Sequence, residues 1–151
     1  MKTAHSISVP TSVGKTFTFL SHTQNEQRWR GSVEASRYLG ANGPGVGVHG
    51  KTVAGPHSVA VHWVITDFEP GASLTWKLDG DPWRGGGTYV VTPDGRGSRV
   101  RAAIVIRLKG IARLAEPILW ARSRRELRED LRRLSQLLEA SKTDVGLPAA
   151  A

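Results

Sequence analysis

Apolar and polar positions alternate through the middle of the chain. In "SRVRAAIVIRL" (98–108), Val100, Ala102, Ile104, Ile106 and Leu108 share one parity, while Arg99, Arg101 and Arg107 share the other. Strand side chains point alternately to two faces, so this pattern predicts a strand with an apolar inner face and a basic outer one. The same period predicts strands at "HSISV" (5–9), "VEASRYL" (33–39), "VGVHGKTVA" (46–54), "SVAVHWVITDF" (58–68), "SLTWKL" (73–78) and "GGTYVVT" (86–92). Between most of these lie "GANGPG", "GPH", "EPGA" and "TPDGRG", where Gly and Pro supply the dihedrals of tight turns. Short links between successive strands imply an antiparallel meander.

Two regions leave that period. "PTSVGKTFTFLSH" reads as a short helix capped by Thr11 or Ser12, with Phe17 and Leu20 on one side. "TQNEQRW" reads as a second short helix ending at Trp29, before Gly31 breaks the chain. Near the end, Trp120, Leu127, Leu131, Leu134 and Leu138 recur at spacings that hold one helical face in "AEPILWARSRRELREDLRRLSQLLEA" (115–140). Pro117 falls in its first turn or makes a kink, where a missing N–H costs little. We expect one domain over residues 1–140 and a flexible tail over 141–151, with no internal repeat.

Charge changes this picture less than it first suggests. The net charge of +8 raises nucleic acid or an anionic membrane as partners. The basic residues of 98–108 are the wet side of a strand, however, and their same-parity neighbours are Ala103 and Val105 rather than aromatic stacking platforms. In the final helix, Arg122, Arg124, Arg125, Arg128, Arg132 and Arg133 alternate with Glu126, Glu129 and Asp130 in i,i+3 and i,i+4 pairs. The reading is a solvated face and no nucleic-acid partner. There are no cysteines, so disulfides and thiolate chemistry are excluded. The N-terminus lacks the apolar run of a signal peptide and no segment is long enough to span a bilayer, which predicts a cytoplasmic protein without integral membrane association.

Four segments carry a family resemblance. "FTFLSHTQNEQRW" resembles "VWALLSDPENLPRW" of the START-like superfamily, which contains bacterial polyketide cyclase/dehydrase proteins and the birch pollen allergens. "DFEPGASLTWKL" is similar to that family's "EFDPPRRLVWR", "YVVTPDGRGSRVR" to its "YTLEPDGGGTRVT", and "RRELREDLRRLSQLLE" to its closing helix. The chain departs from the pattern at His22, where Asp is usual, and at Ser98, where Thr is usual. The resemblance spans nearly the whole chain and implies an α+β helix-grip fold. In that fold a curved antiparallel sheet of about seven strands wraps a long C-terminal helix, with two short helices after the first strand. It also implies an internal cavity for a hydrophobic small molecule, in a superfamily that holds both enzymes and carriers.

With a cavity implied, parity names its walls. The sheet would offer Val46, Val48, Val59, Val61, Trp63, Ile65, Leu74, Trp76, Leu78, Tyr89, Val91, Ile104 and Ile106, with Ile111, Leu114 and Ile118 from the approach to the last helix. Two tryptophans and a tyrosine suit a planar apolar ligand, although the same rings serve ordinary core packing. For ligand binding we select Val48, Val61, Trp63, Ile65, Trp76, Tyr89, Ile104, Ile111, Leu114 and Ile118. For proton transfer we select Tyr89, Arg37 and His5. His5 shares parity with Ile7 and Val9; a lone His on an apolar face is more often a hydrogen-bonded core residue than a catalyst. Arg37 shares parity with Val33 and Leu39, unless a bulge turns it outward and Tyr38 inward. Asp67 and Glu116 stand as general bases at the rim, Glu116 also as a first-turn helix charge.

No histidine pair has a third ligand at metal-binding spacing, and Gly45, Gly47 and Gly50 precede a strand rather than a helix. Neither metal nor cofactor is expected. The function read here is a polyketide-cyclase/dehydratase-like enzyme of secondary metabolism acting on an aromatic or polycyclic molecule. A non-catalytic lipid or isoprenoid carrier or sensor is the alternative, and a protein binding anionic surfaces through its basic face is a third. The chain is expected to be a monomer or homodimer.

Overall fold

In a computed structural model of the chain, residues 1–40, 43–79 and 84–146 are described, with side chains through 141. The turn expected around 41–42 and the tail beyond 146 lie outside them. Seven strands form one antiparallel sheet: β1 (Lys2–Val9), β2 (Val33–Tyr38), β3 (His49–Ala54), β4 (Val59–Glu69), β5 (Ser73–Leu78), β6 (Arg84–Asp94) and β7 (Gly97–Arg107). Their order is β1-β7-β6-β5-β4-β3-β2, so β2 to β7 form a continuous meander and β1 closes onto the last strand. The sheet is a curled half-barrel around a long helix, which is the helix-grip arrangement.

Between β1 and β2 run α1 (Val13–Ser21), a 3-10 turn (Thr23–Asn25) and α2 (Glu26–Trp29). Ser12, not Thr11, caps α1 by accepting from the Lys15 N–H at 3.3 Å. The Thr11 hydroxyl instead joins Thr16 at 2.6 Å, and Thr16 in turn meets Ser98 at 2.9 Å, a buried hydroxyl cluster that ties α1 to β7. The His22 side chain does not cap the following turn; its Nδ1 lies 2.7 Å from the Thr18 carbonyl oxygen. α3 (Glu116–Gly146) follows a 3-10 segment (Gly110–Ala115) and runs on past Ala140, where the sequence pattern ended. Pro117 sits in its first turn.

The core fills one end of the grip. Leu127, Leu131, Leu134 and Leu138 of α3 are buried against Val9, Phe17, Leu20, Trp29, Val91 and Val100. Their 4-3-4 spacing keeps one stripe on the sheet. Toward the N-terminal half of α3 the apolar stripe gives way to Leu119, Ser123, Glu126 and Asp130, and there the sheet and helix leave a cavity. Among the described residues no helix is long and apolar enough to cross a membrane.

Candidate functional site

The cavity has a volume of about 530 Å³. Its floor is the inner face of β3 to β7. The register sets Gly50 of β3 directly across from Trp63 of β4, and Gly87 of β6 across from Trp76 of β5. A Cβ at Gly50 would lie 2.1 Å from Trp63 Cζ2, and one at Gly87 would lie 2.5 Å from Trp76 Cζ2. Each tryptophan ring therefore lies flat over a glycine, and both rings line the cavity. Trp63 is fixed further by donating from Nε1 to Thr52 Oγ1 at 2.9 Å. Thr52 continues through Ser36 to Thr23, with hydroxyl contacts of 2.8 and 2.7 Å.

The roof is the α3 face of Leu119, Ser123, Glu126, Leu127 and Asp130. His57, Val59 and Arg122 also border the space and are exposed, so the cavity opens between the β3–β4 turn and the N-terminal half of α3.

At the inner end sits a buried polar cluster. Arg30, whose side chain is 19% exposed, lies 3.8 Å from Glu26 Oε1 and 4.0 Å from Asp130 Oδ2. Both contacts exceed hydrogen-bond length, so the guanidinium keeps N–H donors to spare. Tyr89 donates to Glu26 Oε1 at 3.4 Å, and its ring meets Trp29 edge-on. Asp130 Oδ1 accepts from the Gly31 N–H at 2.9 Å and faces Arg133 at 3.4 Å, while Arg133 also donates to the Trp29 carbonyl at 3.0 Å. These bonds lock α3 onto the end of α2.

The environment sorts the cluster's proton affinities. Burial pushes the Tyr89 hydroxyl above its ordinary range; Arg30 opposes this, and Glu26 and Asp130 reinforce it. Tyr89 is thus a permanent O–H donor. Burial alone would lower Arg30, but neighbouring Tyr89, Glu26 and Asp130 raise it, so it stays charged. Burial raises the Asp130 carboxyl against the pull of the Gly31 N–H, Arg30 and Arg133. Tyr38 also lines the cavity. Burial raises its hydroxyl, which donates to the Ser21 carbonyl at 2.6 Å.

Of the residues selected from sequence, Val61, Trp63, Trp76, Tyr89 and Ile104 line this cavity. The others do not. A register shift between Val33 and Ala35 reverses the parity of β2, so Ser36 is buried, Tyr38 turns in and Arg37 is exposed. His5 points from β1 toward α3, outside the cavity wall. Burial and then Arg128, Arg132, Arg124 and Arg99 lower its proton affinity. Ile65 is inward but packed in the core, and Val48 precedes β3, partly buried against that core. Ile111, Leu114 and Ile118 are all exposed, because the 3-10 segment projects away from the sheet instead of closing over it. Asp67 is exposed as well. Glu116 Oε1 accepts from the Leu108 N–H at 3.0 Å.

Sequence reasoning missed Glu26, Arg30 and Asp130. A signal existed for each. Glu26 and Arg30 stand at i,i+4 beside the buried Trp29, and Asp130 is a charge on the apolar stripe of α3, three residues after Leu127. Among the described residues, no group of three His, Asp or Glu side chains could hold a metal ion.

Comparison with known proteins places this geometry among relatives. The family described as polyketide cyclase/dehydrase and lipid transport matches residues 1–139. A search of the curated proteins found no match. Among solved structures, the fold is similar to TTHA0849 from Thermus thermophilus at 15% identity, covering 93% of this chain and 99% of that one, with a TM-score of 0.77. It is similar to a START superfamily protein from Mycobacterium smegmatis at 11% identity, covering 92% and 97%, with a TM-score of 0.73. It is also similar to Ara h 8.0201 at 12% identity, covering 93% and 98%, with a TM-score of 0.67.

Proposed function

The chain belongs to the family of polyketide cyclases/dehydrases and lipid transport proteins, and on that premise we propose that its cavity holds one hydrophobic, aromatic or polycyclic small molecule. The observation that carries the reading is a cavity of about 530 Å³ floored by Trp63 and Trp76 and ending on Arg30, Glu26 and Tyr89. That volume suits a small molecule, and its few convergent polar groups suit one oriented by its oxygens. The apolar body lies on the tryptophans, and a carbonyl or hydroxyl reaches Arg30 and Tyr89.

Within this reading the protein acts as a polyketide-cyclase-like enzyme. Most of the catalysis is confinement of a reactive chain in one near-attack conformation away from water. Glu26 takes a proton from a methylene between two carbonyls, and the enolate oxygen is held by Arg30 and the Tyr89 hydroxyl. The carbon attacks a further carbonyl of the same chain, the new alkoxide takes back the proton held by Glu26, and removal of the remaining α-proton with departure of the hydroxyl as water sets the double bond. Arg37 and His5 have no part in this scheme. A carrier is the second reading, favoured by the fact that Glu26, Asp130 and Tyr89 already have partners within the protein.

A linear poly-β-ketone thioester separates the two. As an enzyme the protein releases a cyclised, dehydrated product, and Tyr89→Phe or Glu26→Gln slows it by about 10²-fold or more. As a carrier it retains the thioester unchanged. If 1-anilinonaphthalene-8-sulfonate and the thioester both fail to bind, the cavity reading is lost.

A further inference from the structure

We propose that the tip made by the 3-10 segment Gly110–Ala115 and the first turn of α3 docks onto an anionic lipid bilayer. Ile111, Leu114 and Ile118 are 88%, 82% and 75% exposed. Soluble proteins scatter single apolar residues over their surfaces, but three large ones at one tip form a patch that calls for a partner. Their spacing makes the patch continuous. Three residues complete one 3-10 turn, so Leu114 stands over Ile111, and Ile118 follows at i+4 as α3 begins. Leu108, next to this segment, is buried in the usual way, so the exposure belongs to the projecting turn and not to the strand end.

Charge identifies the partner. Beside the apolar tip lies a surface pocket of about 550 Å³ lined by Arg84, Arg107, Lys109 and Arg113, with Glu116 as its carboxylate. Glu116 faces inward to the Leu108 N–H at 3.0 Å. Among the described residues, three arginines, Arg84, Arg107 and Arg113, stand here with one carboxylate, next to apolar side chains reaching outward, and match the layered chemistry of an anionic membrane: phosphates at the depth of the arginines and acyl chains at the depth of the isoleucines. A protein partner would have to bury the three arginines against matching acids. A second copy of this net-basic chain supplies few.

The position gives docking a use. Met1 lines both the basic pocket and the ligand cavity, and Leu119, in the next turn of α3, lines the cavity wall. Docking at the tip therefore holds that end of the cavity against the lipid surface. The proposal does not depend on what the cavity contains, because the test reads bilayer binding alone.

The full chain is sedimented with phosphatidylcholine vesicles, and with vesicles in which about a third of the lipid is phosphatidylglycerol. Binding is expected only to the anionic vesicles and to weaken as salt rises. Ile111→Ser, Leu114→Ser and Ile118→Ser together are expected to weaken it by about tenfold or more, the loss of partly inserted side chains. Arg84→Glu with Arg113→Glu is expected to remove it, since each cation contributes about fivefold and the reversal replaces attraction with repulsion. All five positions are at the surface, so unchanged circular dichroism and melting temperature show that the fold persists. Equal binding to both vesicle types, no binding to either, or a serine variant that binds as well as the parent overturns the proposal. So does a dimer in gel filtration that the serine variant converts to a monomer, because the patch is then a contact between copies.

Discussion

Arg30 shows how a single residue is held by its surroundings and what its removal does to them. Its guanidinium is the cation between two carboxylates, Glu26 of α2 and Asp130 of α3, beside the shorter bonds from Gly31 to Asp130 and from Arg133 to Trp29. Replacing it by Met leaves both carboxylates in a buried site without that partner. Removing one member of a buried pair typically costs about 3–5 kcal/mol, and the partial exposure of Arg30 places it at about 3 kcal/mol. Urea unfolding of Arg30→Met measures this loss. Asp130→Asn is expected to cost less, because the amide oxygen still accepts from the Gly31 N–H. His5 supplies a second residue-scale prediction, with a definite sign. Its proton affinity is lowered from 6.5 by burial and by Arg128, Arg132, Arg124 and Arg99. The folded state therefore binds this proton less tightly than the unfolded chain. Its contribution to stability is present above pH 6.5 and is lost as pH falls through the lowered folded value. Melting temperatures followed from above pH 6.5 downward into the acid range are expected to fall less steeply for His5→Gln than for the parent. Parallel curves would remove His5 as the cause.

At the scale of elements, pairs across the sheet decide the shape of the floor. Trp63 opposite Gly50 and Trp76 opposite Gly87 are register facts, and each glycine is the space its tryptophan occupies. Gly50→Ala forces the Trp63 ring off its seat and away from the Thr52 hydroxyl. Overpacking of this kind costs about 1–3 kcal/mol. The expected outcome is a lower urea midpoint together with a shifted tryptophan emission maximum and weaker binding of a planar probe; unchanged emission would mean that the ring had not moved. These pairs also show what the sequence could and could not reveal. Period-two alternation located all seven strands, and it put Val61, Trp63, Trp76, Tyr89 and Ile104 on the cavity side because β4 as far as Ile65, and β5 to β7, keep their parity there, before the irregularity between Ile65 and Asp67. It failed at β2, where one irregularity between Val33 and Ala35 exchanges Arg37 for Tyr38. It failed again at Ile111, Leu114 and Ile118, because an apolar residue in a projecting turn looks the same in sequence as one packed inward. The polar cluster was missed for another reason, although each member stands beside or on an apolar stripe. Glu26 and Asp130 meet only through the fold, and in each local helix they read as ordinary solvated charges.

The molecule as a whole is solid at one end and hollow at the other, and α3 serves both. Its C-terminal half presents Leu131, Leu134 and Leu138 to a filled core, whereas its N-terminal half presents Leu119 and Ser123 to the cavity. Stability and ligand binding are therefore expected to separate along one helix. Leu131→Ala empties space in close-packed surroundings and is expected to cost about 2–5 kcal/mol, with little change in the affinity of 1-anilinonaphthalene-8-sulfonate for the folded protein. Ser123→Phe places a ring into space that is already empty. It removes no packed neighbour and adds apolar contact, so the urea midpoint is expected to hold or rise while probe binding falls by about tenfold or more. Energy transfer from Trp63 and Trp76 to the probe reports the loss directly, since both rings face that space. The opposite pairing, in which Ser123→Phe destabilises and Leu131→Ala abolishes binding, would mean that the helix transmits strain along its length and that the two ends are one mechanical unit. The walls of the cavity are held in place by bonds within the protein. The Glu26–Arg30–Asp130 link and the Arg133 bond to Trp29 stand at the boundary between the two halves, where they pin α3 to α2.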